Sequence, residues 1–325
     1  MSARTLRVKR FLFGISPVVL AALSGVSCVT QPFVQSVASQ EVAVDAAALE
    51  RHVRMLAVTF HPRSVDNPAN LDRAADYVLD QLRATGAETA TQAVEADGKQ
   101  YRNLIARFGP RGGPLLVIGA HYDSCGDTPG ADDNASGVAG LLELARLLAA
   151  KPPTHAVELV AYTLEEPPYF RTDSMGSVWH ARSLREAKRE VRLMLSLEMI
   201  GFYRDTPKSQ AYPLSALKLL YPDEGNFIAI VAPFGDFSAT RRVKGLFKGA
   251  SDLPVVSINA PRSLQGVDFS DHASYWRFGM PAMMITDTSF LRNPNYHEAG
   301  DLPATLDYAR MAKVVRAVHA VAVEF

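Results

Sequence analysis

Apolar runs that end on ionisable residues constrain this chain more than any other feature. His121 follows PLLVIGA, Glu165 and Glu166 follow VELVAYTL, Glu198 ends RLMLSLE, and His297 lies in the loop after PAMMITDT. LLVIGA is continuously apolar, as expected of a strand buried on both faces. Stretches with helical spacing stand between such runs. In NPANLDRAADYVLDQLRATG, Ala74, Val78, Leu79 and Leu82 share one face, with Asn70 placed as N-cap and Gly86 as the stop. Alternating strands and helices predict an α/β fold: a mostly parallel twisted sheet with helices on both faces, in a single domain. In such sheets the carboxyl ends of the strands converge on one crevice. Ionisable residues far apart in sequence can therefore meet there.

The remaining pattern agrees. TATQAVEA and YRNLIARFG read as strands joined by a turn at ADGK, and NFIAIVA and VVSI as further strands. Helices are expected over residues 43–60 and 135–150, and over SMGSVWHARSLRE, SATRRVKGLFKGA, HASYWRFG and LDYARMAKVVRAVHAVA. Hydrophobic residues make up 48% of 325, enough for a large core, and no Pro/Ser/Gly linker divides the chain. The formal net charge is +0, so no basic excess points to nucleic acid. The charged stretch RSLREAKREVR carries Glu186 and Glu190 among its bases and reads as a solvated helix face.

Residues 1–28 read as an export signal. MSARTLRVKR is basic, and FLFGISPVVLAALSGV is apolar but short for a spanning helix. Cys28 follows directly, where a bacterial lipoprotein signal places its acylated cysteine, although Gly25 stands where leucine is usual. Plain secretion, with Cys28 inside the discarded leader, is the alternative. The expected location is the periplasm, cell envelope or exterior, with a possible lipid anchor at Cys28. Residues 29–42 are expected to be a flexible tether, and 43–325 the catalytic domain. Cys125, in HYDSC, reads as a small packing residue.

The ionisable set has a chemistry of its own. Mixed nitrogen and oxygen donors suit zinc better than manganese or cobalt. Two divalent metals about 3.5–4 Å apart can act on a carbonyl and a water together. They need a bridging carboxylate, terminal ligands, and one carboxylate left free to take a proton. Asp133, in GADDNASG, is the candidate bridge. His121 and Glu198 can complete one metal, and Glu166 and His297 the other. Glu165 is left as the base. Adjacent strand residues point to opposite faces, which would give Glu165 and Glu166 different roles.

Taken in order, H-x-D, G-A-D-D-N-A-S-G, E-E, a carboxylate, S-D-H and Y-H resemble the co-catalytic zinc aminopeptidases typified by bacterial leucyl aminopeptidase. Glutamate carboxypeptidase and plasma glutamate carboxypeptidase are relatives. The resemblance runs from about Leu49 to the C-terminus. It implies two zinc ions per chain, the ligand set just described, and Glu165 as general base. It also implies that Asp123 orients His121 from behind, and that the Asp133–Asn134 peptide is cis. Three departures stand out. Glu198 replaces an aspartate. Val267, Asp268 and Phe269 precede S-D-H in place of a disulfide and tyrosine. EEPPYFRTDSMGS replaces the commoner E-E-x-G-x-x-G-S. The last two segments are expected to border the specificity pocket, so substrate preference does not carry over.

The expected function is an exported zinc aminopeptidase acting on peptides. A glutaminyl cyclase-like acyltransferase with one zinc is the alternative, and carboxypeptidase or dipeptidase specificity stays open. A catalytically dead binding domain, as in transferrin receptor, would have lost ligands, and none is missing. His52, His61, His155, His180 and His319 read as ordinary core or surface residues. Asp271 reads as a helix N-cap. Contact of Asp271 or His272 with substrate or a ligand stays open.

Overall fold

In the computed structural model, residues 25–325 are described. Of the expected export signal, only residues 25–28 fall within that range. Among the described residues, eight strands form one sheet: β1 (Glu88–Ala96), β2 (Lys99–Phe108), β3 (Leu115–His121), β4 (Ala156–Tyr162), β5 (Val191–Glu198), β6 (Ile228–Pro233), β7 (Val255–Ala260) and β8 (Ala282–Thr286). Their spatial order is β1-β2-β4-β3-β5-β8-β6-β7. The central strands β4, β3, β5 and β8 run parallel, and β7 is parallel to β6. The β1–β2 hairpin and the β6–β8 pair are antiparallel, as is β2 with β4. The sheet is thus mixed, with its parallel part at the centre. The β1–β2 turn places Asp97 and Gly98 at φ +50° and +73°, the left-handed pair that a tight hairpin demands.

Every residue of β3 and β4 is buried, because helices cover both faces. Those helices are α1 (Ala46–Arg54), α2 (Pro68–Ala84), α3 (Gly137–Ala150), α4 (Gly176–Glu186), α5 (Phe237–Ala250), α6 (His272–Arg277) and α7 (Tyr308–Glu324). Successive β3 side chains point oppositely. Leu116 and Ile118 join a core with Leu141 of α3, Val243 of α5 and Val314 of α7. Leu115 and Val117 join a second core with Leu184 of α4 and Tyr275 of α6. Each fully buried leucine contributes about 1.5–3 kcal/mol, so the two cores fix the β3 register and with it the position of His121.

Three local expectations need correction. The α2 helix starts at Pro68 with Asn67 in the N-cap position, since Pro is pre-set for the first helical turn. Asn70 instead donates to the His61 carbonyl at 3.0 Å. The first helix leaves α geometry after Arg54 and closes in a π turn over Met55–Thr59. The stretch expected to be a flexible tether is docked over residues 30–37. Thr30, Gln31 and Val34 are buried. Lys244 Nζ donates to the Thr30 and Gln31 carbonyls at 3.0 and 2.9 Å. Val37 N donates to the Gly245 carbonyl at 2.9 Å. A Cβ added at Gly249 would lie 1.7 Å from the Val37 oxygen; glycine alone lets the strap lie this close to α5. Among the described residues, no helix is long and apolar enough to cross a membrane.

Candidate metal centre

The parallel strands deliver their last residues to one place. His121 ends β3 and Glu198 ends β5. Glu165 and Glu166 stand in the loop beyond β4, after Leu164 at φ +59°. The strand premise used to separate their roles does not apply, yet their side chains diverge. Asp133 lies in the loop before α3, and His297, at φ +57°, in the loop after β8.

Asp133 sits between the two histidines. Its Oδ1 is 3.3 Å from His121 Nε2, and its Oδ2 is 3.2 Å from His297 Nε2. Glu198 Oε2 lies 3.5 Å from His121 Nε2, and Glu166 Oε2 lies 3.2 Å from His297 Nε2. Two donor groups therefore share one carboxylate. Glu165 Oε2 approaches His121 Nε2 at 3.8 Å. Asp133, Glu165, Glu166 and Glu198 are all at most 5% exposed.

Asp123 reaches three of these residues. Its Oδ1 accepts from Glu165 N at 3.2 Å and its Oδ2 from Glu166 N at 3.1 Å. Oδ1 also lies 3.5 Å from His121 Nδ1. One carboxylate thus holds the E-E backbone and faces the back of the imidazole. Ser270, from S-D-H, donates to Glu198 Oε2 at 2.7 Å. His272 turns away, its Nε2 facing the Val267 carbonyl at 2.8 Å. Asp271 occupies the N-cap position of α6 without a side-chain cap bond. Its buried oxygens have no hydrogen-bond partner among the described residues.

Some of the supporting residues carry no sequence signal. Arg63 is fully buried and donates to the carbonyls of Tyr122, Pro129 and Gly130 at 2.8, 2.6 and 2.6 Å. It braces both ligand-bearing loops. Asp301 accepts from Asp132 N and Asp133 N at 2.9 and 3.0 Å. Asn134 donates to the Leu197 carbonyl at 2.8 Å and accepts from Gly137 N and Met199 N, both at 3.1 Å. The Asp133–Asn134 peptide is cis, as the resemblance implies.

Electrostatics point to cations. Burial, with Asp133 beside it, pushes Glu166 up to about 8. Burial likewise raises Glu165 and Glu198 above the ordinary carboxylate range. Burial disfavours an imidazolium at His121, yet Glu165 and Glu198 raise it well above normal. Buried carboxylates this close cannot all ionise unless positive charge lies among them. The Nε2 atoms of His121 and His297, and Glu166 Oε1, have no hydrogen-bond partner among the described residues. Such buried orphans are rare unless something else satisfies them. Donors about 2.0–2.2 Å from one tetrahedral zinc would stand roughly 3.4 Å apart. The separations of 3.2, 3.3 and 3.5 Å fit that spacing.

The centre opens into an apolar cavity walled by Phe170, Phe227, Val231, Ile258, Phe269 and Phe290. Aromatic contacts run from Phe170 through Phe269, Phe290 and Tyr296 to His297, whose ring stacks on Tyr296 at 3.8 Å. Phe170 and Phe269 belong to the two segments that depart from the usual motifs. Both segments do border this cavity.

A mixed sheet whose parallel centre gathers a shared-carboxylate site at its carboxyl edge is the architecture of an α/β metallohydrolase. The chain belongs to peptidase family M28, whose model matches residues 103–322. It is 50% identical to the uncharacterized protein YfbL of Escherichia coli over 296 residues, covering 89% of this chain and 91% of that one. It is 25% identical to leucine aminopeptidase 1 of Blastomyces gilchristii over 271 residues, covering 78% of this chain and 64% of that one. The fold is similar to that of Bacteroides thetaiotaomicron glutaminyl cyclase in complex with N-acetylhistamine. The TM-score is 0.67 at 18% identity, covering 88% of this chain and all of the other.

Proposed function

We propose that this chain is an exported, zinc-dependent aminopeptidase that hydrolyses the first peptide bond of its substrate at a site for two zinc ions. The observation that carries the reading is Asp133, which turns one carboxylate oxygen to each histidine. His121, Asp133 and Glu198 would hold one ion, and Glu166, Asp133 and His297 the other. When bound, zinc supplies Lewis acidity and lowers the pKa of water from 15.7 towards about 7. Glu165 Oε2 takes the proton of the attacking water and returns it to the leaving nitrogen. Asp123 keeps Glu165 and Glu166 apart through their backbone N–H groups. The apolar cavity receives a side chain next to the scissile bond, and among the described residues no lysine or arginine lines it to recognise a substrate carboxylate. That favours an aminopeptidase over a carboxypeptidase. Export, with Cys28 as a site of acylation, completes the reading; Cys28 is exposed.

The second reading is a single-zinc glutaminyl cyclase, favoured by the shared fold. A panel of aminoacyl chromogenic substrates, a carboxypeptidase substrate and an N-terminal glutaminyl peptide, with metal content on the same sample, separates them. Two zinc ions with aminoacyl hydrolysis are expected. One zinc with cyclisation would establish the alternative, and full activity without any transition metal would remove both.

A further inference from the structure

We propose that Cys125 is a ligand of this centre, supplying a thiolate to the cation held by Glu166 and His297. The inference rests on the metal reading above and adds a sulfur donor to it. The Cys125 Sγ, a carboxylate oxygen of Glu166 and an imidazole nitrogen of His297 all lie within 4.8 Å of one another. Glu166 is 4% exposed. Its Oε1 and the His297 Nε2 both lack hydrogen-bond partners among the described residues. Two unsatisfied donors therefore share this space with the thiol.

The loop that carries Cys125 is held in place. The Cys125 carbonyl accepts from Thr128 N at 3.0 Å and from Thr128 Oγ1 at 2.8 Å. Arg63 grips the same loop at the Tyr122 carbonyl. Cys125 is half-buried and not packed in either apolar core, unlike the inert cysteines that fill apolar interiors. Zinc binds sulfur at about 2.3 Å and nitrogen at about 2.0–2.1 Å, which puts two such donors roughly 3.6 Å apart.

The two cation positions then differ in kind. The His121–Glu198 position offers nitrogen and oxygen only. The Glu166–His297 position adds a soft thiolate, whose proton leaves when the cation binds. Soft donors favour zinc, cobalt and cadmium over magnesium and manganese. The sulfur-bearing position should discriminate more sharply among metals.

Cobalt(II) loading of the full chain tests this without an activity assay. Visible d–d bands report cobalt in either position. A sulfur-to-cobalt charge-transfer band in the near ultraviolet reports thiolate ligation alone. The band should appear in the wild type and in Cys28→Ser, and vanish in Cys125→Ser while the d–d bands persist. The preference of the second-filled or second-retained ion for cadmium over manganese should fall at least tenfold in Cys125→Ser. Circular dichroism identifies a variant that fails to fold, in which case Cys125→Ala replaces it. Visible bands without a sulfur band in the wild type would overturn the proposal and leave the zinc reading intact. A sulfur band that survives in Cys125→Ser would overturn it too. A protein that binds no cobalt at all would overturn the metal reading and this inference together.

Discussion

Glu165 and Glu166 share a backbone clamp but not a neighbour: one side chain faces His121 and the other His297. Glu165→Gln cannot take a proton, so turnover should fall about 10²–10⁴-fold with metal content unchanged. Glu166→Gln should lose one metal. Parallel metal analysis and kinetics decide this, and the opposite pattern would exchange the two roles. Asp123→Asn puts an amide N–H where two backbone N–H groups now find acceptors. Metal affinity or turnover should fall about 10–100-fold, read by competition with a chelator. His121, Glu198 and the Glu165–Glu166 pair could be picked out as candidates because they end or closely follow buried strands, and strand ends are where an α/β sheet gathers chemistry; Asp133 and His297 stand deep in loops and are marked by the motifs around them. Arg63 and Asp301 were not. Both act on backbone carbonyl or N–H groups of distant loops, and such pairing leaves no spacing to read.

Among elements, the strap over residues 30–37 was the least legible. Its sequence, TQPFVQSV, shows neither helical nor strand spacing, and it docks mainly through backbone carbonyls and a carbonyl-seeking lysine, which hydrophobic periodicity does not encode. Gly249→Ala should force the strap off α5. Overpacking of this kind typically destabilises by about 1–3 kcal/mol. Thermal unfolding and limited proteolysis near residue 37 measure the effect; an unchanged melting temperature and cleavage pattern would show that the strap contributes nothing. By contrast, the strands and long helices were readable. Their apolar spacing matches the faces they bury, as alternate β3 residues entering two separate cores demonstrate.

The molecule as a whole should respond to acid through Glu158. This β4 carboxylate lies 3.2 Å from His180 Nε2 and accepts from Arg107 Nε at 2.9 Å. Burial opposes ionisation, but His180 and Arg107 bring it from 4.5 down to about 2. Its folded pKa is depressed, so its contribution is present above the unfolded value and disappears as pH falls from 4.5 towards 2. Glu158→Gln should cost about 2 kcal/mol near neutrality. The difference from wild type should shrink to nothing across that acid window, as followed by denaturant melts. A constant difference would show that the ion pair is not the cause. Metal removal acts at the same scale: on the proposed reading, bound zinc at 100 times its dissociation constant adds about 2.7 kcal/mol. Chelation should therefore lower the melting temperature, and added zinc should restore it.

The docked strap also decides how this enzyme would sit on whatever its N-terminal segment is joined to. Cys28 precedes the buried Thr30 by two residues, a reach of at most about 7 Å. A lipid or partner attached there could not let the catalytic body swing freely. It would meet one side of the sheet, the α5 and β7 edge, against which Thr30 is held.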